Sequence, residues 1–306
     1  MTAPRLSVII VNFNGGVLVR ESLEYLWRQL EPGYEVFLVD NDSADGSDDD
    51  LETSFAGLQM IRNRSNLGYA RANNQALALA RGTYILLLNP DVRLGPEALV
   101  TALDYLDGNT DVSILGPKVL LPNGRLDPPA RRSFKTPTTY LYKALGLTSL
   151  LPRHTRFGRY YLSYLDEDLV ADVDSVVGAF LMIRRSVVER IGPLDERFFM
   201  YCEDEDWCWR VKQAGGRVVY HPGVVVRHVK GASTSKRPLR MAYHWHRSLW
   251  LFHRKNLESR YVAPINWLVY AGIGLGLTGA MTACLARWLV RATAARAFGA
   301  NVHEVD

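Results

Sequence analysis

The hydrophobic positions of the first 117 residues fall into short blocks: "LSVIIV" from Leu6, "EVFLVD" from Glu35, "GLQMIR" from Gly57, "TYILLLN" from Thr83 and "VSILG" from Val112. Between them Val17 to Gln29, Asp45 to Phe55, Tyr69 to Arg81 and Pro96 to Leu106 carry apolar residues at helical spacing. Short apolar runs alternating with helices predict a doubly wound, largely parallel α/β sheet. In such sheets ligands bind beyond the carboxyl ends of the strands. The chain places Asn12 and Asn14, then Asp40, Asn41 and Asp42, then Asn66 and Gly68, then Asn89 and Asp91 at those ends.

From Lys118 to Leu165 the pattern dissolves into prolines, arginines and aromatics, which predicts a long excursion with little regular structure, of the kind used as a lid or binding loop. Regularity returns with a strand-like "VDSVVGAFLMIRR", a helix from about Glu203 closed by Gly215, and a strand pair around His221-Pro222-Gly223. Tyr261 to Ala286 then holds no charge over 26 residues. That is long enough to cross a hydrocarbon core of about 30 Å as a helix. Its glycines and the basic residues at both ends leave a span, an in-plane or re-entrant segment and a buried terminal helix all open. "GLGLTG" within it matches a dinucleotide-binding pattern, but no strand precedes it, and close helix packing explains the small residues.

The composition, 306 residues with 48% hydrophobic and 22% charged, fits one large or two small globular domains. Three cysteines without a CxxC pair indicate neither a zinc ribbon nor a disulfide framework, so a reducing compartment is expected. The amino end shows no signal-peptide pattern, and a cytoplasmic location is expected. The net charge of +4 hides segregation: Lys118 to Leu165 carries +8, Arg227 to Ala300 carries +11, and the remainder is strongly acidic. Two basic bands predict anionic ligands or an anionic membrane surface. No nucleic-acid-binding module accompanies them, so nucleic acid is not an expected partner.

Proline cannot donate to a strand ladder, so pairing must end near Asn89, and the turn lifts Asp91 above the sheet edge where it can hold a hard divalent ion with diphosphate oxygens. Asp40 is placed to accept from a nucleobase edge, with Asn12 and Asn14 completing that pocket. Each residue alone is ordinary turn chemistry; four polar strand ends in one crevice suggest a ligand site. In "YCEDEDWCWR" one of four acids at a helix start can be a general base, and Trp207 or Trp209 can stack on a sugar, although tryptophans at helical spacing are more often core. His228 closes "GVVVRH" and can be a further metal ligand.

In this order the motifs "SVIIVNFNG", "VFLVDNDSADGS", "NRSNLGYARANNQ", "LLLNPDV", "VVGAFLMIRRSVVERIGPLDERFFMYCEDEDWCWRVKQAGG" and "HVKGAS" resemble the family 2 glycosyltransferases of GT-A fold, and within them the rhamnosyltransferase-like members. The resemblance covers about Leu6 to Lys255. It implies a GT-A Rossmann-like mixed sheet over residues 1–235, with a nucleotide-sugar half (1–117), a loop or lid (118–172) and an acceptor half (173–235), followed by a helical membrane-associated region (236–306). It implies inverting transfer of a sugar from a nucleoside diphosphate, dTDP-rhamnose preferred and a UDP-sugar open, to a lipid-linked saccharide at the cytoplasmic membrane face. Galactofuranosyl transfer, another hexose or a non-catalytic sugar-nucleotide binder are the alternatives. A nucleotidyltransferase would want an early glycine- and lysine-rich phosphate loop, and none occurs. Carried over by position, Val11, Asn12, Asn14, Asp40, Asp42, Asn66, Gly68 and Asn89 look like donor-binding residues. Asp91 and His228 look like ligands of Mg²⁺ or Mn²⁺. Asp204 looks like the catalytic base, with Gly178, Ala179, Glu203 and Trp207 on the acceptor side. Asn89 stands where many members have an aspartate, so the metal would be held with one charge fewer.

Overall fold

The apolar blocks form strands because their branched and aromatic side chains are covered on both faces; every residue of β1 (Leu6–Asn12) and β4 (Tyr84–Leu88) is buried. The computed structural model describes residues 3–229 and 238–297, so Gly231 and Ser233 of the "HVKGAS" motif lie outside the described residues. The chain divides into two units, Met1–Ser233 and Thr234–Asp306.

In the first unit β1, β2 (Glu35–Asp40), β3 (Leu58–Arg62) and β4 run parallel in the order β3-β2-β1-β4, connected by α1 (Val17–Trp27), α2 (Leu51–Ser54) and α3 (Tyr69–Leu77). After β4 come β5 (Val92–Leu94), α4 (Ala98–Gly108) and β6 (Val112–Leu120). The excursion beyond β6 contains β7 (Arg131–Arg132), α5 (Pro137–Ala144), α6 (Leu147–Leu150) and β8 (Ala171–Asp172). Next are β9 (Ser175–Val176), β10 (Phe180–Arg184), α7 (Arg185–Ile191), α8 (Glu203–Gln213) and β11 (Arg217–His228). The sheet continues from β4 through β10, β6 and β11 to β5; β10 is antiparallel to β4 and β6, and β5 antiparallel to β11. It is a GT-A-like mixed sheet with flanking helices: the pairs from β3 to β4 and the β6–β11 pair are parallel, and β10 and β5 run antiparallel to their neighbours.

Three local expectations are corrected. The helix expected from Asp45 to Phe55 shrinks to α2, because Asp45 takes the backbone N–H groups of Gly16 and Ser47 and Asp50 adopts a left-handed φ of 55°. The excursion is less irregular than its prolines suggest: Pro137 sits in the first turn of α5, where its missing N–H costs nothing, and Thr136 caps that helix. The strand pair expected around His221-Pro222-Gly223 is one strand, β11, which stays parallel to β6 across a register shift between His221 and Val225. The bulge absorbs the proline without ending the strand.

The second unit contains α9 (Pro238–Asn256) and α10 (Ala263–Ala297). Asn266 fastens the start of α10: its amide N–H₂ donates to the carbonyls of Glu258 and Tyr261, and its Oδ1 meets His253 Nε2 at 2.8 Å. Ala263–Trp288 is, among the described residues, the one helical stretch long and apolar enough to cross a membrane. At 1.5 Å per residue its 26 residues span about 39 Å. "GLGLTG" lies inside this helix, away from any strand.

Candidate active site

The residues expected on the donor side gather where parallel strands end. Asn12, the last residue of β1, donates through Nδ2 to Asp40 Oδ1 at 2.9 Å and to Ser47 Oγ at 2.8 Å. Asp40, paired with Asn12 in the β1–β2 register, takes the Ser43 N–H on Oδ2 at 3.0 Å. Asn14 Oδ1 accepts from the Ala44 N–H at 2.8 Å. Asn14 and Asp42 both turn the chain with left-handed φ, 51° and 71°, which asparagine and aspartate tolerate better than most residues. Val11 is buried in the sheet and Asp42 is exposed at the rim. Asp40 thus reaches the edge with one donor on each oxygen, the Asn12 amide and the Ser43 N–H, and one lone pair to spare on each.

Asn41 is a hub that the sequence-based site did not include. Its Oδ1 accepts from the Leu67 N–H and the Asn63 amide, and its Nδ2 donates to Asn66 Oδ1, locking the second strand end to the loop before α3. Gly68, φ 87°, ends that loop; a Cβ there would lie 2.5 Å from the carbonyl oxygen of Phe199. The close approach lets the Tyr69 N–H donate to the same carbonyl. The donor loop is thereby joined to the turn before α8.

Asp91 and His228 meet across an antiparallel pair. The β5–β11 register sets His228 opposite Val92, and Asp91 accepts the Val229 N–H through its own carbonyl. His228 Nε2 lies 3.0 Å from Asp91 Oδ1. On the far side of the ring Nδ1 is 4.0 Å from Oδ2 of the fully buried Asp127, a carboxylate that sequence reasoning missed. Among the described residues no group of three or more His, Cys, Asp or Glu is arranged to hold a metal. Two convergent donors nevertheless fit Mg²⁺ or Mn²⁺ when diphosphate oxygens and water complete the shell.

The residues expected on the acceptor side are hydrogen-bonded to those expected on the donor side. The Asn89 N–H donates to the carbonyl of Ala179 at 2.9 Å, and the N–H of Gly178 donates to Asp204 Oδ2 at 2.9 Å. Tyr69 donates its hydroxyl to Gly178 O at 3.1 Å. Burial and then the charges of Glu203, Asp204 and Asp91 all push its phenol far above the usual tyrosine range. Asp91 and Asp204 therefore both lie near Tyr69, whose hydroxyl meets the chain at Gly178.

The four acids that open α8 are all buried, and cations sort them. Asp206 pairs with Arg210 and Glu205 with Lys135, whose N–H and ammonium both donate to it. Asp204 receives Arg132 Nη2 at 2.7 Å and the Glu205 N–H at 2.7 Å. Burial alone would raise its pKa, but Arg132 and Lys135, with the N–H groups of Gly178 and Glu205, outweigh it and hold the carboxyl below the usual carboxylate range. Glu203 goes the other way: burial and then the charge of Asp204 push it up to about 8, and its Oε2 has no hydrogen-bond partner among the described residues. One position is corrected. Trp207 is fully buried and its indole N–H donates to the Gly192 carbonyl at 3.0 Å, so it packs in the core and offers no face to a sugar.

A carboxyl held neutral at pH 7 is mimicked by its amide. Glu203→Gln is expected to keep turnover at pH 7 within a few-fold of wild type, while any decline centred near pH 8 that Glu203 ionisation causes in the wild type disappears. A pH–rate profile of both proteins reads this. An alkaline limb that persists in Glu203→Gln assigns the decline to another group.

A family model described as glycosyl transferase family 2 matches residues 7–192. The chain is 28% identical over 281 residues to the N-acetylglucosaminyl-diphospho-decaprenol L-rhamnosyltransferase of Mycobacterium tuberculosis, covering 88% of this chain and 91% of that protein. It is 26% identical over 211 residues to rhamnosyltransferase WbbL of Escherichia coli, covering 63% and 71%. Among solved structures, the mannosyltransferase PcManGT of Pyrobaculum calidifontis, in complex with GDP-Man and Mn²⁺, superposes with a TM-score of 0.56 at 19% identity, over 96% of this chain and 76% of that one.

Proposed function

Since the chain belongs to glycosyl transferase family 2, we propose that it transfers L-rhamnose from dTDP-rhamnose to a hydroxyl of a polyprenyl-diphosphate-linked saccharide, inverting the anomeric carbon. The observation that carries this reading is that Asp91, which meets His228, and Asp204 both lie near enough to Tyr69 to act on its phenol, whose hydroxyl donates to Gly178. The activities for which the two relatives are named support rhamnose, and that of the mycobacterial one supports a lipid-linked acceptor. Another hexose, galactofuranose included, is the second reading, since the same edge would serve any nucleoside diphosphate sugar.

The residues divide the work. Asn12, Asn14, Asp40 and Asp42 frame the nucleobase end, and Asn66 and Gly68 shape the loop beside it. Asn89, Asp91 and His228 face the diphosphate. Asp91 and His228 would hold a Mg²⁺ or Mn²⁺, which offsets the charge growing on the leaving diphosphate when bound. Asp204 takes the proton of the acceptor hydroxyl as that oxygen attacks the face of the sugar opposite the diphosphate. Residues 1–235 form the catalytic region in this reading, and 236–306 attach it to the cytoplasmic membrane face through α10.

A donor panel tests it: dTDP-, UDP- and GDP-sugars with Mn²⁺, scored by release of nucleoside diphosphate, with dTDP-rhamnose expected fastest. Binding without release from any donor would make the chain a sugar-nucleotide sensor. Asp91→Ala is expected to weaken donor binding in calorimetry with Mn²⁺, and an unchanged Kd contradicts the metal assignment.

A further inference from the structure

Pro128 to Leu165 contains no acidic residue, yet holds seven Lys and Arg. Its root and its tip use them differently. At the root Arg131, Arg132 and Lys135 are buried, Arg132 against Asp204 and Lys135 against Glu205. Beyond the root, α5 turns Thr139 and Tyr142 inward; the Tyr142 ring meets Phe157 edge-on at 5.0 Å and Arg156 donates to its hydroxyl, so the segment is anchored. The other face of α5 and the turns after it point leucines at solvent: Leu141 is 54% exposed, Leu145 63%, Leu150 75% and Leu151 41%. Leu141 and Leu145, four apart, share one stripe. Lys143, Arg153 and Arg159 are exposed in the same stretch.

Four exposed leucines within eleven residues are more than scattered surface apolarity explains, and such a patch marks an interaction site. Exposed cations with no acid between them select an anionic partner. We infer that the α5–α6 tip is a membrane-docking surface that seats its leucines among the acyl chains of an anionic bilayer, with Lys143, Arg153 and Arg159 on the lipid headgroups. This contact belongs to the first unit and goes beyond the sugar-transfer reading; it does not depend on α10 entering the bilayer or on which sugar is moved. It also gives the acid-free segment one logic. The cations at its root hold the acceptor-side carboxylates, and those at its tip hold the surface from which a lipid-linked acceptor would come.

The test uses the full chain with Cys284→Ser, because Cys202 and Cys208 are buried and will not take label in the folded protein. An environment-sensitive thiol dye is placed at Leu145→Cys or Leu150→Cys, and at the exposed Thr53→Cys as control. Adding phosphatidylcholine vesicles containing phosphatidylglycerol is expected to shift emission to shorter wavelength at 145 and 150 but not at 53, and vesicles of phosphatidylcholine alone to shift it far less. Arg153→Glu with Arg159→Glu is expected to weaken that response about ten-fold or more, from the attraction each basic residue loses near an anionic surface. Protein bound to vesicles with unshifted dyes at 145 and 150, or no vesicle binding, overturns the proposal. So does a concentration-dependent dimer, seen by sedimentation velocity without lipid, that Leu145→Asp abolishes: the patch would then be a contact between copies. The donor panel scores sugar transfer separately, so failure of one reading is not mistaken for failure of the other.

Discussion

Asp204→Asn is expected to lower turnover by ~10² to 10⁴, while donor binding measured by calorimetry stays within a few-fold of wild type. The hydrogen bonds give the reason. Oδ2 accepts from Arg132 Nη2 at 2.7 Å and from the Gly178 N–H at 2.9 Å, which uses both of its lone pairs. Among the described residues Oδ1 accepts only the Glu205 N–H at 2.7 Å, so the lone pair left for a proton is there. An asparagine keeps the shape and loses the charge, and whichever way its amide turns, its NH₂ faces an N–H donor. The variant therefore loses the base and at least one hydrogen bond together. Arg132 keeps Val176 O at 3.1 Å, Ser175 Oγ at 3.4 Å and, at 4.0 Å, Glu205. A stability loss of ~2–3 kcal/mol follows, less than for a fully orphaned buried charge. In a unit of this size that is a fall in Tm of roughly 5–10 °C, which leaves the protein folded and the turnover measurement meaningful. Turnover near wild type would remove Asp204 from the role of base, whatever happened to the Tm.

The first four strands were largely legible because their signal is local. Branched and aromatic runs such as Leu6–Asn12 and Tyr84–Leu88 bury both faces, and a polar residue directly after such a run has to stand at the sheet edge. What stayed hidden depends on partners far along the chain. Nothing near Arg132 announces that it will meet Asp204, 72 residues on, and nothing near Asp127 announces His228. Asn41 sits in a motif full of turn formers, so its part in joining two strand ends cannot be told from theirs by type alone. Trp207 is the opposite case: its type suits stacking on a sugar, whereas its position on α8 turns it into the core. Periodicity would have favoured the core, since Trp207 is four residues from Val211, which is buried on the same face. The β11 bulge was misread because His221-Pro222-Gly223 has the composition of a turn, and only pairing with β6 keeps the strand running.

Arg132→Gln is expected to have the largest effect on stability of any single change at this site, about 3–5 kcal/mol, because it leaves a buried carboxylate without its cation. It also changes the pH dependence. In the wild type the depressed Asp204 contributes stability that is present above the unfolded carboxylate range and is lost only as pH falls through the lower folded value. With glutamine one of the groups that hold the value down is gone while Lys135 and the two N–H groups stay, so the folded value rises toward the unfolded one and the stability gained above it shrinks. Two curves should therefore move together: the acid limb of kcat shifts to higher pH, and the Tm measured at neutral pH drops more than the Tm measured near pH 4. A purely structural role for Arg132 would lower Tm at every pH and leave the limb where it was. Arg132→Lys separates the contributions further. It restores the charge but not the second hydrogen bond to Val176 O, so it is expected to return the acid limb most of the way while recovering only part of the stability. If KM for the donor is unchanged in both variants while kcat follows the limb, Arg132 acts through Asp204, as the 2.7 Å contact between them implies.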